Sequence, residues 1–178
     1  MGAWGGIIMS FFGSVFATMT LALSFGWKGP ILTVPFVAFV AIALAAALVI
    51  RGTGDGVSRS ERAGRVIMWS SIGEGIGLFV AANLVVNLHH PELLLPAMAL
   101  VVGLHFVPMA FGVPFRPFLI LAVMLVSAAV IGGAVDQPLG SKVAGFTAAA
   151  SLWVAALLAV RRDKVAKSGS HERRFTSG

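Results

Sequence analysis

The stretch VIMWSSIGEGIGLFVAANLVVNL, residues 66–88, decides the fold class of this chain. It is apolar over a length close to the roughly 20 residues that carry an α-helix across about 30 Å of hydrocarbon, and a single ionisable side chain, Glu74, interrupts it near the middle. A charged group at membrane depth costs about 2.5–3.5 kcal/mol on insertion scales, so such groups as a rule face a protein interior or a water-filled path. Glu74 is therefore where a functional reading of the chain begins.

Five further stretches have the same apolar character: residues 5–25, 31–50, 91–111, 118–135 and 143–160. The chain is 58% hydrophobic and 11% charged, with a mean hydropathy of +0.95, whereas a soluble domain carries roughly 25% charged residues. A water-soluble globule could not hide that much apolar surface. The pattern predicts an all-α integral membrane protein, a six-transmembrane-helix bundle over residues 1–162 followed by a basic cytoplasmic tail at residues 163–178, with no soluble catalytic module. Short connections make successive spans antiparallel neighbours, and Pro30, Pro91 and Pro117 stand where helices begin, a position that tolerates the missing N–H. The longest connection, residues 51–65, mixes charges with Gly52, Gly54, Gly56, Ser58 and Ser60 and reads as a flexible loop. Residues 168–178 read as a loose tail.

The formal charge of +6 points to nucleic acid only if placement is ignored. Arg51, Arg59, Arg62, Arg65, Arg116, Arg161, Arg162, Lys164, Lys167, Arg173 and Arg174 fall in connections of one parity, and only Lys28 and Lys142 in the other. This is the positive-inside distribution. It predicts a multi-pass protein of the cell membrane with both termini cytoplasmic, a basic tail resting on anionic lipid headgroups, and no nucleic-acid partner; the plainer account of the tail is a topology signal alone. The chain has no cysteine, which excludes disulfides, thiolate nucleophiles and cysteine metal sites. The first span lacks a basic leader and an A-x-A cleavage motif and reads as a retained helix.

The only other ionisable side chain deep in a span is His105. The third and fourth spans form a hairpin turning at His89 and His90, and Glu74 and His105 stand about equally far from that turn. At a rise of 1.5 Å per residue, an acid and an imidazole are thus expected at one depth on adjacent helices. Ser70, Ser71 and Gly77 share the helical face of Glu74, and Gly73 with Gly77 forms a small-xxx-small step that admits a neighbouring helix. Gly103 and Pro108 flank His105; Pro108 has no N–H for the carbonyl of Leu104 and favours a break in the helix near the site. A free carbonyl, an imidazole and a carboxylate at one level are expected to hold a proton, a small ion or a polar ligand.

Other polar residues have plainer accounts. Ser10, Ser14 and Thr18 form a stripe along the first span and suit bonds between helices. Asn83 and Asn87 suit bonds to a neighbouring helix or a partner subunit, and His89, His90 and Glu92 read as a solvated turn, since they match no zinc motif of the H-E-x-x-H kind. Trp4, Trp27 and Trp69 suit interfacial anchoring, and Trp153 suits packing. The second and fifth spans are nearly pure hydrocarbon and are expected to face lipid, with the first, third, fourth and sixth packed inside. A faint echo between residues 79–86 and 153–160 equates spans one to three with four to six, which would be a 3+3 inverted repeat.

Two functions follow from these residues. One is a proton- or cation-linked transporter or channel-like protein with Glu74 and His105 at its site. The other is a non-enzymatic structural or accessory membrane protein that binds lipid or a partner subunit, with Glu74 as a packing contact. An enzyme is the weaker expectation, because no Ser-His dyad at matched depth, two-Asp pattern or zinc motif is present, and no cofactor is implied. A domain this small often pairs with itself, so a homo-oligomer is among the expected partners.

Overall fold

The computed structural model describes residues 2–57 and 60–176, with side chains as far as residue 169. Helix α1 (Ala3–Phe25) is followed by a 3₁₀ turn (Gly29–Thr33), α2 (Pro35–Arg51), α3 (Glu61–Asn87), a second 3₁₀ turn (Pro91–Leu93), α4 (Leu94–Gly112), α5 (Pro117–Ala134) and α6 (Leu139–Thr176). Among the described residues there is no strand, and six helices are long and apolar enough to cross a membrane, which suggests a multi-pass membrane protein.

Local chemistry sets the helix ends. Pro35 and Pro117 open α2 and α5, where their fixed φ suits a first turn. Gly26 closes α1 in the left-handed region, φ 67°, with its N–H on the carbonyl of Leu21. The Ser60 side chain accepts the N–H of Ala63 at the start of α3, with Glu61 in the first turn, satisfying one of the four donors a helix start leaves open.

Small residues hold the centre together. Helices α1 and α6 run antiparallel at close range: a Cβ on Gly6 would lie 2.9 Å from the carbonyl oxygen of Ala156, one on Gly13 would lie 2.8 Å from the Trp153 ring, and one on Gly145 would strike the Thr20 hydroxyl. In an apolar solvent this close backbone approach, rather than a hydrophobic drive, associates helices. Gly103 makes the same kind of seam between α4 and α5, where a Cβ would lie 2.9 Å from Val126. Two members of the serine and threonine stripe of α1 tie the helix to the segment that follows it, as expected: Ser14 donates to the carbonyl of Pro35 at 2.8 Å and Thr18 to that of Leu32 at 3.0 Å, whereas Ser10 donates back to the carbonyl of Ile7 in its own helix at 2.9 Å. Trp153 donates its indole N–H to the carbonyl of Ser10 at 3.2 Å across the α1–α6 seam.

The distribution of inner and outer helices corrects the sequence-based expectation in part. Helix α2 is peripheral as expected, burying only Pro35, Ile42 and Ala46. Helix α5 is not: Phe118, Leu121, Ala122, Leu125, Ala128, Ala129 and Gly132 form a buried face against α4 and α6. Helix α3, expected inside, buries only Ala63 and Val85 and packs chiefly on α4. In a membrane, where polarity does not sort helices as it does in water, the small residues of α5 would outweigh the hydroxyls of α3.

Helix α6 also continues past the end of its apolar run at Val160, through the segment expected as a tail, to Thr176. Two side chains four residues apart explain why. The buried Asp163 carboxylate accepts the N–H of Ala3 at 3.2 Å and of Val57 at 2.9 Å, and Lys167 donates to the carbonyls of Ile50 at 2.9 Å and Gly52 at 3.0 Å. An anion thus meets the positive end of α1, and a cation the negative end of α2.

Candidate functional site

The site lies in the seam between α3 and α4. Contacts step in opposite directions along the two helices, as an antiparallel pair requires. A Cβ on Gly77 would lie 2.8 Å from Val101, and one on Gly112 would lie 2.7 Å from Val66. Between those two close approaches, Glu74 faces His105, with Oε2 and Nδ1 3.6 Å apart. The side chains are 14% and 7% exposed respectively, so the pair is largely withdrawn from the surroundings of the bundle. The arithmetic set these two residues at one depth, and the structure supplies the rotation that brings them into contact, with the face carrying Gly77 turned to α4.

A separation of 3.6 Å lies within ion-pair range but is too long for a hydrogen bond. The His105 Nδ1 is buried and has no hydrogen-bond partner, while the ring lies edge-on to Phe106 with centroids 4.9 Å apart. Nearly all buried polar atoms in folded proteins are partnered, and an exception calls for a functional or structural reason. A shortening of about 0.7 Å would turn this contact into a charge-assisted hydrogen bond along which a proton could pass.

Two open grooves reach the pair from different sides. The larger encloses about 500 Å³ and is lined by Trp69, Ser70, Gly73, Leu104 and Pro108 as well as by Glu74 and His105. The smaller, about 290 Å³, lies between α3, α4, α1 and α6, and joins Ser71 and Gly75 to Met9, Phe12 and Leu152, again with Glu74 and His105. The two serines therefore divide, Ser70 to the larger groove and Ser71 to the smaller. Of the small-xxx-small step, Gly77 takes the close approach to α4, while at Gly73 a Cβ would meet nothing within 4 Å.

The residues flanking His105 also divide. Pro108 stands inside α4 and beside the larger groove together with Leu104, whose carbonyl it cannot bond. Gly103 turns to α5 instead, and α4 is assigned as one continuous helix from Leu94 to Gly112. Trp69, expected only as an interfacial anchor, also lines the larger groove; its place one turn and a residue before Glu74 was the signal available in the sequence.

The remaining polar candidates lie elsewhere. Asn83 donates to the carbonyl of Phe79 in its own helix at 2.8 Å, and His90 pairs with Glu92 at 2.8 Å on an exposed turn. No group of three metal-capable residues occurs among the described residues. No family model matches the chain, and neither a curated protein nor a solved structure shows significant similarity to it.

Proposed function

We propose that the chain is a small polytopic protein of the cell membrane in which Glu74 and His105 hold a proton or small cation and link its movement to that of a polar solute, as a proton- or cation-linked transporter or channel-like protein. The observation that carries this is the buried, unpartnered Nδ1 of His105 facing the Glu74 carboxylate, with a groove reaching the pair on each side. An acid and an imidazole at membrane depth are costly without a task, and packing alone is better served by a made hydrogen bond than by a 3.6 Å gap. Ser70 and Ser71 would offer hydroxyls to a ligand from either groove, and the proline-freed carbonyl of Leu104 a further acceptor.

The positive-inside distribution of arginine and lysine supports placing both termini in the cytoplasm. The sequence echo supports an inverted 3+3 duplication only in part: the α1–α2 and α4–α5 pairings correspond, but the extensive α5–α6 seam has no counterpart of similar size between α2 and α3.

A second reading, an accessory protein that docks another subunit or a second copy of itself, is favoured by one observation: α3 carries Glu74 and yet buries only Ala63 and Val85 within the chain. Reconstitution into liposomes separates the two. Flux driven by a proton or cation gradient in the native protein, lost in Glu74→Gln with folding intact, supports the transporter. Absence of gradient-driven flux of any tested solute, with Glu74→Gln altering only stability or oligomeric state, supports the accessory protein.

A further inference from the structure

A third groove, remote from Glu74 and independent of the reading given to it, opens between α2 and α6 at the end of the bundle where Asp163 meets Ala3. It encloses about 590 Å³. Its floor is Ala45, Leu48, Val49 and Val160, and its rim is Thr53, Lys164, Lys167 and Ser168. The apolar floor belongs to α2 and α6, and the rim begins where α2 ends at Arg51 and the apolar run of α6 ends at Val160. In a membrane this is the level at which acyl chains give way to headgroups. The Lys167 ammonium is fixed at the rim by the carbonyls of Ile50 and Gly52, and the exposed Lys164 stands one helical turn before it.

We propose that this groove is a binding site for one anionic phospholipid, its phosphodiester at the exposed Lys164 and the Thr53 hydroxyl, beside the Lys167 ammonium that the Ile50 and Gly52 carbonyls hold in place, and one acyl chain along Leu48 and Val49. Charge and shape choose this occupant together. A free phosphate would use the rim and leave the apolar floor uncovered. A zwitterionic lipid would fill the floor but bring a cationic headgroup to the two lysines. An anionic phospholipid satisfies both halves, and by bridging α2 and α6 it would reinforce the link that Lys167 already makes between them.

Native mass spectrometry of the detergent-solubilised full chain, titrated in turn with phosphatidylglycerol, phosphatidylcholine and inorganic phosphate, tests the site. The native protein is expected to retain one phosphatidylglycerol in preference to phosphatidylcholine. Lys164→Gln should weaken that retention about five-fold, the worth of one cation near an anionic headgroup, and Ala45→Phe, which fills the exposed floor, should weaken retention of both lipids. Lys142→Gln, at the far end of α6, should change nothing, and an unshifted thermal midpoint shows that each variant is folded. Equal retention of the two lipids, a Lys164→Gln variant indistinguishable from the native protein, or phosphate alone displacing the lipid would overturn the proposal. So would Ala45→Phe changing oligomeric state without changing lipid retention, which would assign the groove to a second copy of the chain.

Discussion

Alanine placed at Gly73 and at Gly77, one substitution at a time, should give results of different size and direction although the two positions are one turn apart on the same helix. At Gly73 a Cβ meets nothing within 4 Å, so the only effect is a gain in helix propensity of at most about 1 kcal/mol. At Gly77 the same gain is available, but the new carbon would lie 2.8 Å from Val101 Cγ1, inside the 3.5–4.0 Å at which carbon atoms attract. Valine is confined to one rotamer in a helix and cannot swing clear, so α3 has to move off α4. Overpacking of this kind costs about 1–3 kcal/mol, which leaves Gly77→Ala less stable than Gly73→Ala by about that amount. Unfolding in detergent micelles, followed by circular dichroism against heat or a denaturing detergent, measures the difference. The Glu74–His105 contact depends on the same seam, so Gly77→Ala should also weaken it while Gly73→Ala leaves it intact. Equal stabilities, or a larger loss at Gly73, would refute the α3–α4 register on which the site rests.

Asp163→Ala removes the acceptor for two backbone N–H groups, one of Ala3 and one of Val57, and should cost about 3–6 kcal/mol, each hydrogen bond to a charged group being worth about 1.5–3 kcal/mol; a fall of the thermal midpoint in detergent reads this directly. Asp163→Asn keeps one oxygen acceptor and should lose roughly half as much on the same measurement. His105→Leu replaces an unpartnered polar atom with hydrocarbon and should shift stability by less than about 1.5 kcal/mol while abolishing gradient-driven flux in liposomes; a large loss of stability would make His105 a structural contact.

The part of the fold most visible in the sequence was the part that geometry constrains locally. Glu74 and His105 could be matched in height because a hairpin with a fixed rise per residue sets the level of each from its turn, and Gly77 marked the face that approaches α4. Which helices lie inside was legible only in part: α2 is peripheral and α1, α4 and α6 are central as expected, but α3 and α5 exchange places. Helix α5 reads as uniform hydrocarbon, and its burial follows from Ala122, Ala128, Ala129 and Gly132 fitting against neighbours, a matter of shape that periodicity does not reveal when both environments are apolar. The hydroxyls and glycines of α3 suggested an inner helix, but they serve one seam only. The clamp at Asp163 and Lys167 was hidden in a segment that reads as a topology signal. Its trace was an acid set among arginines and lysines, four residues before Lys167 on the same helical face.

The central claim is that the Glu74 carboxyl exchanges a proton beside His105 within the membrane, and infrared difference spectroscopy of the reconstituted protein across a pH titration measures it most directly. The account predicts a carboxyl band that appears and disappears with pH, is missing in Glu74→Gln, and moves to a different pH in His105→Leu. A spectrum with no titrating carboxyl assignable to Glu74 over the range in which the protein stays folded, or one unaffected by His105→Leu, would contradict it.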